Sequence, residues 1–299
     1  MKKALFLGIA SSFFFAFTFL LNRSMNLTGG YWGFSASLRY LFTLPFLFVL
    51  VKKRYGFQSL RSLWKNNFFD WLLFSTIGFG LFYAPLSYAA DHGQSWLVAA
   101  CWQITIVAGI FLSPLFGKKI ALRNVAAAAI ILTGVFFMEW SHIKHMELEM
   151  LSKLMVPIFI AAISYPLGNR KMMELCKNQI STAERVYGMT LFSIPFWIVI
   201  FAFSVSKAGT PSFSQSLQSL LAALFSGVIA TLLYFKATDL VKTDHKWLAV
   251  IESTQSGEVI FTLLGGIFLL GDQIPDPAGF FGIALIVSGM VLNSILSSR

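Results

Sequence analysis

The sequence predicts an all-α integral membrane protein, with ten transmembrane helices forming an inverted repeat of two five-helix halves. Three observations lead there. Hydrophobic residues make up 57% of the chain and charged residues 12%, with a mean hydropathy of +0.72, far from the range of ordinary soluble domains. The apolar residues fall into ten runs long enough to cross about 30 Å of hydrocarbon, which takes roughly 17–25 residues each. The chain also repeats itself at an offset of about half its length.

The runs cover 4–21, 32–51, 68–89, 95–116, 121–138, 154–173, 183–205, 217–238, 247–270 and 277–296. The first follows Lys2-Lys3 as a signal peptide would, but Asn22-Arg23-Ser24-Met25 offers no small-x-small cleavage pattern, so it is read as a span. The second runs from Trp32 to the cationic stretch Lys52 to Lys65, and the third begins beyond that stretch. Asp91-His92 separates the third from the fourth, and Lys118, Lys119 and Arg123 stand where the fourth gives way to the fifth. The longest connections are short, and no soluble domain is left over. Continuous apolarity over such lengths disfavours the alternating strands of a closed barrel.

Cations orient the bundle. With the N-terminus in the cytoplasm, 18 Lys and Arg fall on that side and 4 (Arg23, Lys144, Lys153, Lys207) on the other, with Arg39 inside a span. This is a strong positive-inside bias and places both termini in the cytoplasm. It accounts for the formal net charge of +10 without a nucleic-acid partner.

The repeat is read from short words in common order. Asn22-Arg23-Ser24-Met25 returns as Asn169-Arg170-Lys171-Met172, 147 positions on, and Thr43-Leu44-Pro45-Phe46 as Ser193-Ile194-Pro195-Phe196, 150 on. Trp96-Leu97 returns as Trp247-Leu248 after 151, and Ile131-Leu132-Thr133-Gly134 as Ile286-Val287-Ser288-Gly289 after 155. The halves are thus 1–150 (spans one to five) and 151–299 (spans six to ten). Five is odd, so the copies enter the bilayer from opposite sides. That inverted arrangement predicts alternating access around a site near the midplane.

Glu258 to Asp272, ending Leu270-Gly271-Asp272, resembles the second-repeat signature of EamA-type transporters, and Phe280 to Gly289 resembles the helix that follows it. With ten spans in two copies, the whole chain is similar to the drug/metabolite transporter superfamily, and its many aromatics to the EmrE-like multidrug-efflux branch. Asp272 stands where the family usually has Glu, and Val259 where many members have Pro. The first span lacks the embedded Glu that four-helix exporters use for proton exchange. The resemblance implies a cavity lined mainly by spans other than the fifth and tenth.

Ionisable groups inside spans cost about 2.5–3.5 kcal/mol on insertion scales, so each is a candidate functional site. In span nine, Glu252, Gln255, Glu258 and Thr262 form one polar stripe. At 1.5 Å per residue from Trp247, Glu258 lies about 16 Å deep, near the midplane, and Glu252 about 8 Å. Such carboxyls could carry a proton, face a cationic ligand, or serve only as hydrogen-bonded structure between helices. Arg39 lies about 10 Å from the other surface by the same ruler. It could pair with Glu258, bind an anionic group, or snorkel outward as an anchor. Arg185, its approximate repeat mate, is assigned to the inner surface.

Phe, Trp and Tyr make up 16% of residues. Trp32, Trp64, Trp71, Trp140 and Trp247 fall where interface belts belong. Tyr83 and Tyr88 in span three, Trp102-Gln103 in span four, Tyr165 in span six and Tyr234 in span eight are candidates for an aromatic, amide-bearing solute box. Pro85, Pro114, Pro195 and Pro166-Leu167-Gly168-Asn169 mark bending points, and Asn169 joins the candidate site. Gly265, Gly266 and Gly289 are assigned to close helix packing.

Other chemistries lack their residues. Cys101 and Cys176 lie on opposite sides, His142 and His145 have no further ligands at metal spacing, and no Walker-type loop or Ser/His/Asp set is found. No cofactor or metal is expected. The sequence therefore predicts a carrier in a bacterial-type plasma membrane that exports drugs or hydrophobic and aromatic metabolites, coupled to protons, as a monomer or homodimer. The alternatives are an amino-acid or metabolite uniporter or exporter without proton coupling and, from other classes, a membrane enzyme or flippase, or a scaffold.

Overall fold

In hydrocarbon a backbone N–H or C=O finds no water, so each apolar run must satisfy its own backbone as helix. The computed structural model follows this rule. It describes residues 1–117, 119–120, 122–143, 148–177, 179–241 and 245–297, and their side chains except those of 139–143, 148, 150, 245, 246, 248, 249 and 297. His142, His145, Trp140 and the cations Lys118, Lys144, Lys242, Lys246 and Arg299 of the sequence reading lie outside these described residues or side chains.

The helices are α1 (Lys2–Leu27), α2 (Trp32–Arg54), α3 (Gln58–Asn66), α4 (Phe68–Ala89), α5 (Ser95–Phe111), α6 (Leu122–Ile143), α7 (Leu148–Cys176), α8 (Thr182–Ala208), α9 (Phe213–Asp239), α10 (245–270) and α11 (Pro277–Ser297). Among the described residues, eight are long and apolar enough to cross a membrane: α1, α2, α4 and α7 to α11. Two expected spans are shorter. α5 gives a continuous apolar stretch only over Ser95–Phe111 before a 3-10 turn at Ser113–Phe116; α6 runs over Leu122–Ile143, and its apolar stretch among the described side chains is Leu122–Met138. Pro114 opens that 3-10 turn, where its missing N–H costs no helical bond.

One helix escaped the sequence reading. α3 has only nine residues, too few for a span, yet Leu60 and Leu63 bury one face of it. Trp64 packs beside them against Trp71, Tyr187 and Phe192. Trp71 itself, expected at an interface, has no exposed surface, because Gly188 of α8 leaves room for its ring.

Several long helices are not uniform α-helix. α4 carries a π turn at Thr76–Gly80, and α9 one at Ala223–Ala230. α5 breaks at Trp102–Gln103, and α10 passes through a 3-10 turn at Thr254–Ser256. Such interruptions free backbone groups and re-aim side chains, often at functional sites. α8 starts on a capping box in which Ser181 and Glu184 each bond the other's backbone N–H. Arg170 of α7 donates to the Gly109 carbonyl of α5 at 2.7 Å. It thereby satisfies one of the last carbonyls of that helix.

The most extensive pairings are α6 with α11, α4 with α7 and α1 with α9, followed by α1 with α10 and α2 with α8. Glycine lets backbones meet at the first of these. A Cβ at Gly282 would stand 2.5 Å from the Gly134 carbonyl oxygen, and one at Gly289 would stand 2.7 Å from Ile131. Gly265, against Leu20, and Gly266, against Ser95, are packed as tightly. Gly282→Leu is expected to force α6 and α11 apart. It should destabilise the detergent-solubilised protein by about 1–3 kcal/mol, the usual range for overpacking, read as a lowered melting temperature.

Candidate functional site

Two neighbouring regions define the site: a pinned end of the bundle and a cavity beneath it. The pin begins with Leu270-Gly271-Asp272. Gly271 has φ +69°, a left-handed conformation that a side chain resists, and the Asp272 N–H turns back to the Gly266 carbonyl at 3.0 Å. This places the Asp272 carboxylate, nearly fully buried, over the start of α5. Its Oδ2 accepts from the Ser95 N–H at 2.9 Å and from Ser95 Oγ at 2.5 Å. Its Oδ1 stands 3.6 Å from Arg23 Nε of α1. An acceptor on an unsatisfied helix N-terminus is favoured both by the orphan N–H groups and by the helix dipole. Beside it, Trp96 Nε1 donates to the Gln273 carbonyl at 3.1 Å, and Arg23 Nη1 to Asn26 Oδ1 at 3.2 Å. Asp91, between α4 and α5, lies near Asn26 and Arg23, and burial pushes its carboxyl up to about 7. Ends of α1, α4, α5 and α10 are thus tied together.

Away from the pin, a cavity of about 540 Å³ lies among all the long helices but α6. Its charged residues are Arg39, Arg185, Glu252 and Glu258, and its amides Gln103, Gln255, Asn169 and Asn293. The rings of Phe79, Phe82, Trp102, Tyr40, Tyr165 and Tyr234 form much of the rest. Three ion pairs occur among the described residues, and none involves the four charged groups of the cavity. Arg39 and Glu258 therefore influence each other without touching, and the sequence-predicted pairing does not form.

Local structure explains the polar stripe. In a 3-10 turn residues i and i+3 eclipse, so the turn at Thr254–Ser256 stacks Glu252, Gln255 and Glu258 on one line facing the cavity. Thr262, expected to extend the stripe, is instead buried in the helix packing outside the cavity. Gln255 Nε2 donates to Ser11 Oγ of α1 at 3.0 Å, and Gln103 Nε2 donates to the Ala99 carbonyl of its own helix at 3.0 Å, with its amide near the Glu258 carboxyl.

Arg39 is 9% exposed and does not snorkel. Its guanidinium lies over the Tyr83 ring at 4.0 Å, a cation–π contact that holds it toward the cavity. Tyr83 in turn donates to Asn22 Oδ1 at 3.2 Å. Tyr40 stacks on Trp197 with centroids 4.5 Å apart.

Of the eleven residues expected from sequence, nine line this cavity: Arg39, Trp102, Gln103, Tyr165, Asn169, Tyr234, Glu252, Gln255 and Glu258. Tyr83 and Tyr88 do not. Tyr83 backs Arg39 from behind, and Tyr88 stands on the far side of α4 against Trp32 and His92. Sequence reasoning missed Arg185, which sits in the first turn of α8 yet faces inward. It also missed Met290, Asn293 and Ser294 of α11, a helix expected to take little part. The Ser181–Glu184 capping box, legible in sequence, fixes the start of α8 and hence the face that Arg185 occupies.

Two outcomes follow from the pin. Asp272→Asn should destabilise the protein by about 3–5 kcal/mol in thermal unfolding, since it leaves Arg23 without its buried partner. Asp91 ionises in the unfolded chain near pH 4 and in the folded protein only near 7, so stability from the protonated folded form is progressively lost over that interval. Asp91→Asn should match the wild-type melting temperature near pH 4, exceed it increasingly as pH rises, and hold a constant lead above about pH 7.

Comparison with known proteins agrees with this architecture. Residues 2–299 match the EmrE family, described as "Putative multidrug resistance efflux transporter". The chain is 44% identical over 308 residues to "Uncharacterized protein YjlA" of Bacillus subtilis (strain 168), covering 99% of this chain and 95% of that one. It is 47% identical over 266 residues to a 42.1 kDa protein of Shouchella clausii encoded in the 3' region of an intracellular alkaline protease, covering 86% and 70%. A solved structure titled "Crystal structure of protein" shares the fold, with TM-score 0.66 at 13% identity over 99% and 98% of the two chains. The chain belongs to the EmrE family of the drug/metabolite transporter superfamily and is a membrane transporter.

Proposed function

We propose that this protein is a secondary carrier that exports small organic solutes, drugs or hydrophobic and aromatic metabolites, across the bacterial plasma membrane by alternating access coupled to protons. The observation that carries the proposal is the cavity: large enough for a small organic molecule, lined from both halves of the chain, and with no residue of the Asp272 pin in its wall. With the orientation expected from the cations, the pinned end faces outward and the cavity opens inward.

Helix pairing supports an inverted repeat of ten spans. If α1, α2, α4, α5 and α6 correspond to α7, α8, α9, α10 and α11, then α4–α7 maps onto α9–α1, and α5–α7 onto α10–α1. The pair α4–α8 maps onto α9–α2, and all these pairs are in contact. α2–α8 and α6–α11 map onto themselves. The interruptions also correspond: π turns in α4 and α9, and breaks at Trp102–Gln103 and Thr254–Ser256. A fold of this kind has a second state in which the halves exchange conformations.

Glu258 is the coupling group in this reading, since it stands half-buried at the cavity wall without an ion-pair partner among the described residues. Purified protein in proteoliposomes should move solutes from a mixed metabolite and dye panel in exchange for protons when a proton gradient is imposed. Glu258→Gln should abolish the gradient dependence while retaining exchange. Flux indifferent to both the gradient and the substitution would instead support a uniporter, and flux of no solute would defeat the transport proposal.

A further inference from the structure

The segment that joins α2 to α4 carries a charged surface with no counterpart in the protein. Lys52, Lys53 and Arg54 end α2, and Arg61 and Lys65 lie on α3. All five are exposed, and no Asp or Glu occurs from 52 to 69. None is ion-paired to a described residue, whereas Lys171 of α7 pairs with Glu174. Arg61 and Lys65 stand about one turn apart and so share a side of α3, turned away from the buried Leu60 and Leu63. A positive-inside bias asks only that cations lie on one side of the membrane. Here they are also held in place. Phe57, just before α3, and Trp64 within it both pack on Tyr187 of α8, and Trp64 packs on Trp71 of α4 as well.

What covers this surface is indicated by its neighbours. Phe68 and Phe69 open α4 with 53% and 80% exposure, three and four residues beyond Lys65. Rings so open at the first turn of a span are covered by lipid, which sets the membrane boundary close to the cations. A soluble acidic partner would meet the cations and leave those rings unexplained. We infer that α3 and the end of α2 form a binding surface for the headgroups of anionic phospholipids, phosphodiesters of net negative charge. With the orientation expected from the cations, these belong to the cytoplasmic leaflet. Arg61 and Arg54 can take phosphate oxygens in pairs, and the lysines add point charges. Clustered cations beside a span each strengthen attraction to an anionic leaflet by about fivefold. The site also has a route to the chamber, because Tyr187 is two residues beyond Arg185 of the cavity wall. The inference requires a membrane-embedded bundle and is independent of what the cavity carries.

The test is headgroup selectivity of the full chain in detergent. Phosphatidylglycerol and phosphatidylcholine of equal chain length, each with a fluorescent tail, are titrated onto the purified protein. Wild type should favour phosphatidylglycerol by about 10-fold or more at low salt, as two or more cations engage it. The preference should shrink as salt is raised, since these charges are exposed. Replacing Arg61→Gln and Lys65→Gln together should reduce it by about fivefold or more. Lys52→Gln with Lys53→Gln should do the same, and gives a second reading should the first variant not fold. Lys2→Gln with Lys3→Gln removes as much charge from α1 and should leave the preference intact. Equal binding of the two lipids by wild type, a preference unchanged in the folded patch variants, or an equal loss in the α1 variant would overturn the inference. Displacement of the lipid by inorganic phosphate or by polyglutamate at comparable concentration would overturn it too, making the surface a free-anion or acidic-protein site.

Discussion

The carboxylate of Asp272 is the constraint on which the arrangement of the site depends. It ends α10, occupies the N-terminus of α5 and pairs with Arg23 of α1, so one side chain fixes three helices at one end of the bundle. The expense of burying it is offset by two charge-assisted hydrogen bonds and a cation rather than by water. Because that end is tied, the space among the helices opens below it. Residues of α1, α2, α5 and α10 line the chamber there. The Leu270-Gly271-Asp272 turn that aims the carboxylate requires glycine, since its left-handed φ would strain any side chain.

Within the chamber, departures from regular helix do the aiming. The 3-10 turn of α10 lines Glu252, Gln255 and Glu258 along one edge, and the break of α5 at Trp102–Gln103 brings an amide and an indole to the adjoining wall. In a membrane such breaks survive only where the freed backbone is buried in protein or lines a polar cavity, so the irregular segments and the site coincide for a physical reason. Aromatic rings then hold the charged groups in place, Tyr83 under Arg39 being the clearest instance. A cation–π contact orients the guanidinium without neutralising it, leaving its charge available to a solute.

Much of this was legible in the sequence. Apolar run length yielded the helices to within a few residues, and the cost of intramembrane charge singled out Glu258, Glu252 and Arg39, all of which line the cavity. What stayed hidden depended on contacts between distant positions. Ser95 and Asp272 are 177 residues apart, and nothing in either segment names the other. Tyr83 and Trp102 look alike as buried aromatics, yet one supports Arg39 from behind and the other faces the cavity. Arg185 was read as an interfacial cation because it is close in sequence to a helix start, whereas the face of that helix decides its role. α3 fell below the length that signals a span, although its Leu60–Leu63–Trp64 pattern is amphipathic.

The central claim is that the pin separates the cavity from one side of the membrane while the other side has access. Sided labelling tests it most directly. Asn293→Cys, in a background with Cys101 and Cys176 replaced by Ala, would be reacted with a membrane-impermeant maleimide in right-side-out and inverted vesicles. The account predicts rapid labelling only from the cytoplasmic face, and new reactivity from the outside when Asp272→Asn is added. Equal labelling from both faces with Asp272 intact, or labelling unchanged by its replacement, would contradict it.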